Sequence, residues 1–182
     1  MKKILITGAG SYIGASFEKW LNQPMYQGMY LVDIIDMRNE KWIEKDFSSY
    51  DAIFHVAGIA HIKETKENKY LYYDVNRDLA IKTAKKAKKE NVSQFILLSS
   101  MSVYGTETGV ITDNTVPEPQ NNYGRSKLQA DIEIQKLSDE KFRTAILRPP
   151  MVYGKGCKGN YVRMSKLAQM VPVFPDINNR RS

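Results

Sequence analysis

Cys157 is the sole cysteine among 182 residues, so no disulfide can close within the chain. A reducing, cytoplasmic setting is the expectation. Cys157 falls in a glycine-rich loop with no partner motif around it, which reads as an incidental loop residue rather than a reactive thiol. Long apolar runs are missing as well. None approaches the roughly 18 residues that a bilayer-spanning helix requires, so no membrane partner is expected. After Lys2 and Lys3 the apolar stretch is cut short at Gly8, too soon for a leader, and it reads as a first strand instead. Internal repeats and low-complexity linkers are also lacking. A hydrophobic share of 42% is ordinary for a globular domain, and the length allows one domain with a real core.

Acidic residues are outnumbered, giving a net charge of +7. Much of the excess lies at Lys82, Lys85, Lys86 and Lys89, spaced as one stripe of a helix. No aromatic residues interleave with them, and the opposite positions Val75, Leu79, Ala80, Ala84 and Ala87 suit core packing. The stripe therefore reads as a solvated face, and no nucleic-acid partner is expected.

The rest of the chain is organised around residues 2–14. A short apolar run, Ile4 to Ile6, meets Gly8, Gly10 and Gly14 and then an amphipathic stretch to Leu21. This reads as a buried parallel strand, a tight turn and a helix start. Such a turn lets backbone N–H groups and the positive helix end approach a pyrophosphate. A second strand, about 29–35, ends at Asp36, 22 residues beyond Gly14, where an acidic side chain can accept the ribose hydroxyls of an adenosine and repel a 2′-phosphate. Asp36 favours NAD over NADP, while nearby Arg38 argues the reverse.

Further strands are expected over 42–45, 52–56, 94–98 and 142–147, with long helices near 68–90 and 123–137 and a shorter one around 161–169. Strand 42–45 follows Asp36 so closely that only a bare crossover, or an antiparallel edge strand, would connect them. Asn91 suits a left-handed helix cap. On the 123–137 helix, Leu128, Ile132 and Leu137 are expected to face the sheet or a partner. His55, alternating with apolar neighbours, reads as a structural histidine; His61, in the following loop, is a candidate pocket residue. The whole predicts an α/β, Rossmann-type doubly wound parallel sheet.

Chemistry is suggested by Tyr123 and Lys127, four apart on one helix face, downstream of a strand that ends in Ser99, Ser100, Met101 and Ser102. An ordinary phenol titrates near 10, and acting as a base at pH 7 calls for a shift of about three units, or about 4 kcal/mol. A neighbouring ammonium and an oxidised nicotinamide would favour the phenolate.

Five stretches carry a family resemblance: 7–14, 55–58, 98–105, 123–127 and 147–154. The chain resembles the extended short-chain dehydrogenase/reductases, in the NAD-dependent epimerase/dehydratase group, and is most similar to the UDP-glucose 4-epimerases. The resemblance implies Tyr123 as catalytic base, Lys127 as its activator and Ser100 as a second hydroxyl donor. It implies NAD held by Gly8, Gly10, Ser11, Tyr12, Ile13, Gly14, Asp36, Asp46, Phe47, Ala57, Gly58, Asn76, Ser99, Tyr123, Lys127 and Pro149, with the Phe47 ring facing adenine. Substrate contacts would come from Ser100, Met101, Tyr123 and Met151. No metal site is implied.

The implied reaction is nucleotide-sugar 4-epimerisation by hydride transfer at C4. A sugar-nucleotide ketoreductase and a non-catalytic dinucleotide sensor are the alternatives. Met101 and Ser102 stand where dehydratases of the group carry an acidic pair, which argues against water elimination. A homodimer through helices 70–90 and 123–137 is implied too. Members of the group continue into a substrate lobe, so residues 1–182 are expected to be an NAD-binding domain with that lobe largely absent after about 160–182.

Overall fold

Alternating apolar residues in a computed structural model, which describes residues 1–60, 62, 65–106, 108–157 and 160–170, build two hydrophobic layers on one sheet. Strand β1 is Lys2–Thr7, β2 is Tyr30–Ile35, β3 is Ala52–His55, β4 is Gln94–Leu98 and β5 is Arg143–Leu147. Their order is β2-β1-β3-β4-β5, and every pairing is parallel. Side chains alternate across such strands. Leu5, Ile53, Phe95 and Leu97 point into the larger cluster, with Ala80, Ala84, Ala87, Ala130 and Ile134 from the helices. Ile6 and Phe54 point the other way, against Ile13 and Phe17. The doubly wound arrangement expected from the sequence is therefore present.

Helix α1, Tyr12–Leu21, covers the second layer; its Phe17 ring meets Phe54 edge-on at 5.0 Å. Residues 70–89 form one helical run in three parts: α3, Tyr70–Tyr72, a π segment, Tyr73–Leu79, and α4, Ala80–Lys89. Asn91 ends the run with φ 63°, the left-handed cap its residue type predicts. Lys82, Lys85 and Lys89 are exposed, and Lys86 pairs with Glu90 at 2.5 Å, which is the solvated stripe expected. Helix α5, Asn122–Gln135, starts on an Asn121 cap that accepts from the Gly124 N–H at 2.8 Å. Its inward residues are Ala130 and Ile134; Leu137 packs against the same cluster, Leu128 is half-buried and Ile132 is exposed.

One expected strand does not form. Residues Lys41–Glu44 are a short helix, α2, and the sheet has five strands, with no further strand pairing β2 among the described residues. The apolar pair Trp42–Ile43 looked like strand pattern, yet a helical turn sends Trp42 into the core and Ile43 to solvent. The crossover from β2 to β3 thus contains a helical turn and is not bare.

The chain separates into two compact units, Met1–Pro150 and Met151–Ser182. The second holds α6, Asn160–Met170, and a buried Cys157 whose Sγ meets the Val152 carbonyl at 3.3 Å. No helix among the described residues is long and apolar enough to cross a membrane.

Candidate active site

The carboxyl ends of β1, β3 and β4 define the site. Where β1 ends, the Gly8 and Ala9 N–H groups both donate to the Ile35 carbonyl, at 2.9 and 3.1 Å, tying the turn to the end of β2. Gly8 has φ 105° and a Cβ there would lie 2.8 Å from the Ala57 nitrogen, so only glycine lets the turn pack on β3's end. Gly10 has φ 78° and open space around it. Ser11 caps α1, accepting from the Gly14 N–H at 3.1 Å. The first intrahelical bond runs from Ala15 to the Ser11 carbonyl at 3.0 Å, which leaves the Tyr12 and Ile13 N–H groups at the open end of the helix. A 10-residue helix with its positive end on a glycine turn fits a pyrophosphate.

Asp36, the next residue after β2, is engaged by Arg38. Hydrogen bonds from Arg38 hold the Asp36 carboxyl down at a pKa of about 2. Asp46 is exposed and accepts from the Ser48 N–H at 2.8 Å; the Ser48 hydroxyl first, and then this N–H, lower its pKa. Phe47 departs from expectation. Its ring is wholly buried in the larger core cluster, under Lys86 Nζ at 4.8 Å, and it cannot lie on an adenine; its N–H donates to Glu90 at 2.6 Å.

Asn76 sits in the π segment, fully buried, and clasps Ile59 twice: it accepts from the Ile59 N–H and donates to the Ile59 carbonyl, both at 2.9 Å. This fixes the backbone after Ala57 and Gly58. A single wide turn in a helix re-aims side chains and often marks a functional position.

At the end of β4, the Lys127 ammonium donates to the Leu98 carbonyl at 2.9 Å. It is 5% exposed, and burial pulls its pKa down to about 8, opposed by Asp131 one helical turn along. One of its three protons is used there, leaving donors for a ribose diol. Ser100 caps the short turn Met101–Tyr104, and the half-buried Met101 donates its N–H to the Pro149 carbonyl at 3.1 Å. The Ser100 hydroxyl donates to the Ser102 hydroxyl at 3.1 Å and lies close enough to the Tyr123 phenol to influence its titration. Burial pushes that phenol up, and Ser100 pulls it down. The Tyr123 ring also meets Tyr72 edge-on at 6.1 Å.

His55 is completely buried, bonded to Thr7 Oγ1 at 2.8 Å, and burial, with the Lys127 charge behind it, pulls its pKa down to about 3. It is structural, as expected, although its Nε2 has no partner among the described residues. Two residues escaped the sequence reading. Asp131 is 1% exposed and accepts from Arg148 Nε at 2.9 Å, while Arg148 Nη1 donates to Tyr104 at 2.8 Å. Burial pushes the Asp131 carboxyl up, against Ser99, Arg148 and Lys127. The Ser99 hydroxyl is near enough to stabilise that charge, yet neither Ser99 Oγ nor Asp131 Oδ1 meets ordinary hydrogen-bond geometry. The available signal was spacing: Asp131 is four residues after Lys127, on the same helix face.

The structure therefore brings Gly58, Asn76, Lys127, Ser100 and Tyr123 to one end of the sheet. Met151 is an exposed residue of the second unit, and His61 lies outside the described residues. Among the described residues no cluster of His, Cys, Asp and Glu could hold a metal.

The profile of the NAD dependent epimerase/dehydratase family matches residues 4–174. A UDP-glucose 4-epimerase of Vibrio cholerae is 28% identical over 100% of this chain and 62% of its own length. A bifunctional UDP-glucose 4-epimerase and UDP-xylose 4-epimerase of Pisum sativum is 33% identical over 119 residues, 62% of this chain and 34% of the relative. Among solved structures, a UDP-glucuronic acid 4-epimerase from Bacillus cereus in complex with NAD has a TM-score of 0.70 at 23% identity, over 84% of this chain and 57% of that one. A dTDP-4-dehydrorhamnose reductase from Clostridium acetobutylicum has a TM-score of 0.73 at 24% identity, over 92% and 59%. These two speak for the fold. The chain spans less than two thirds of the length of the Vibrio cholerae relative.

Proposed function

Because the chain belongs to the NAD dependent epimerase/dehydratase family, we propose that it serves a nucleotide-sugar 4-epimerase of the UDP-glucose 4-epimerase kind. The observation that carries the reading is the buried Lys127 ammonium held on the Leu98 carbonyl at the end of β4, with Ser100 just beyond Leu98 in the chain and influencing the Tyr123 phenol. The relative from Vibrio cholerae supports the choice of a UDP-sugar.

Gly8, Gly10, Ser11, Tyr12, Ile13 and Gly14 hold the NAD pyrophosphate; Asp36 and Asp46 hold its adenosine. Ala57, Gly58 and Asn76 form the floor, and Ser99 and Pro149 border the nicotinamide end. When bound, NAD would supply the hydride acceptor and donor that inversion at C4 requires. Tyr123 takes the proton of the C4 hydroxyl and later gives it back. Ser100 orients that oxygen. The remaining protons of Lys127 would serve the ribose diol, and its charge would favour the phenolate of Tyr123 that burial alone opposes. Met101 contacts the sugar. The protein pairs with a second copy through helices 70–90 and 123–137, which expose Tyr70 and Ile132.

Residues 1–182 alone bind NAD with little or no turnover, so interconversion of UDP-glucose and UDP-galactose by the full-length protein, and by its Tyr123→Phe variant, tests the reading. Loss of general base catalysis lowers turnover by about 10²–10⁴ or more, with NAD affinity retained. Unchanged turnover in the variant overturns the assignment.

A further inference from the structure

Ser100 is held on both sides by one short segment. The Ser99 N–H donates to the Leu147 carbonyl at 2.7 Å, and the Met101 N–H donates to the Pro149 carbonyl at 3.1 Å. Arg148 lies between those two acceptors. Its Nε donates to Asp131 Oδ2 at 2.9 Å, and its Nη1 donates to the Tyr104 hydroxyl at 2.8 Å. Asp131 belongs to α5, one turn beyond Lys127 and about two beyond Tyr123. Tyr104 is the last residue of the turn that Ser100 caps. One guanidinium therefore joins the element that carries Ser100 to the helix that carries Tyr123 and Lys127.

The residue types suit a rigid joint. A guanidinium is a planar fork and holds two acceptors at a fixed angle, which an ammonium does not. The Asp131 side chain is 1% exposed, and a buried carboxylate does not leave its cation without a large cost. The first turn of α5 already rests on the Ser100 turn, since a Cβ on Gly124 would lie 2.5 Å from the Ser102 carbonyl oxygen. That contact fixes one end of the helix, and Arg148 grips it farther along.

We infer that Arg148 is a positioning residue, which fixes the Ser100 hydroxyl relative to Tyr123 and Lys127 by way of Tyr104 and Asp131. The inference rests on the reading of those three residues as the reacting groups. Arg148 acts through its neighbours and touches neither sugar nor cofactor in this role.

Arg148→Met would leave Asp131 an unpaired buried charge, so Arg148→Lys and Tyr104→Phe are the informative variants. Lysine keeps the charge beside Asp131 and loses the fork; phenylalanine removes only the second acceptor. Two measurements on the full-length protein loaded with NAD test the inference. The first is amide hydrogen exchange. In both variants the Ser99 and Met101 amides exchange about tenfold faster or more, while Leu97, inside β4, exchanges as in the native protein. The second is turnover of UDP-glucose. Here kcat falls by about 10- to 100-fold, with KM, NAD affinity and melting temperature close to native. A merely structural role would lower the melting temperature and spare the kcat of the folded protein. Native kcat in both variants, or slower turnover with unchanged exchange, overturns the inference. No turnover by the native protein, or full turnover by Tyr123→Phe, would remove the proposed function instead, and the exchange rates alone would then decide the joint.

Discussion

The Lys127 ammonium lies against the backbone of Gly58, so close that a Cβ on Gly58 would sit 3.2 Å from Nζ. The same Cβ would be 2.9 Å from Asn76 Oδ1, which cannot retreat because Asn76 is clasped to Ile59 on both sides. Gly58→Ala should therefore destabilise the fold by about 1–3 kcal/mol through overpacking and weaken NAD binding. A thermal melt with and without NAD checks both effects; an unshifted melt with normal binding would show that the floor yields.

The turn glycines should separate fold from binding. Gly8→Ala meets both a left-handed φ and the Ala57 backbone, and should cost about 3 kcal/mol or more. Gly10→Ala meets only the strained φ, at about 1–2 kcal/mol, and should fold. Its methyl enters the space offered to the pyrophosphate, so NAD affinity should drop at least tenfold. Denaturant midpoints set beside NAD titrations measure the difference, and equal stability losses in the two variants would contradict it.

Lys127 gives a pH signature. Its folded pKa of about 8 lies below the ordinary 10.5, so burying the charge costs about 3 kcal/mol at neutral pH. Above pH 8 the folded chain sheds that proton before the unfolded chain does, and stability should rise with pH until both have lost it near 10.5. Lys127→Met should lack this rise while binding NAD poorly. Parallel stability curves for the two proteins between pH 8 and 10 would refute the assignment.

His55 has the acid-side counterpart. Its folded pKa of about 3 is also depressed, from 6.5, so the unfolded chain binds the proton first as pH falls. The stability of the neutral buried ring is complete above pH 6.5 and is lost toward pH 3, with about 2 kcal/mol gone by roughly pH 5. His55→Gln should flatten that slope between pH 6.5 and 5. Asp36 and Asp139, held at about 2, contribute only at lower pH. A slope that survives the substitution would place the acid sensitivity elsewhere.

Local signals account for what was legible. Strand β4 was read with its true ends, because Gln94 and Ser99 bracket an apolar run. Asn91 announced its own cap. Trp42 and Ile43 misled because two adjacent apolar residues look alike in strand and helix until tertiary packing chooses which one to bury. The buried Phe47 failed for a related reason: a ring beside an exposed Asp46 gives no sign of which way it points. The π segment left no mark in the sequence, since its register depends on where Asn76 finds the Ile59 backbone. Arg148 and Asp131 were invisible as a pair because 17 residues separate them.

Thr7 and His55 are joined across 48 positions of sequence, and the adjacent strands β1 and β3 frame the crevice. Ordering that long loop comes before any reward from the contacts it makes. Lys127 adds a still later segment, so a ribosome must release residues through α5 before the crevice exists at all. A dinucleotide therefore cannot chaperone the early stages of folding; it can only trap the finished sheet, and its protection against proteolysis should begin where assembly ends.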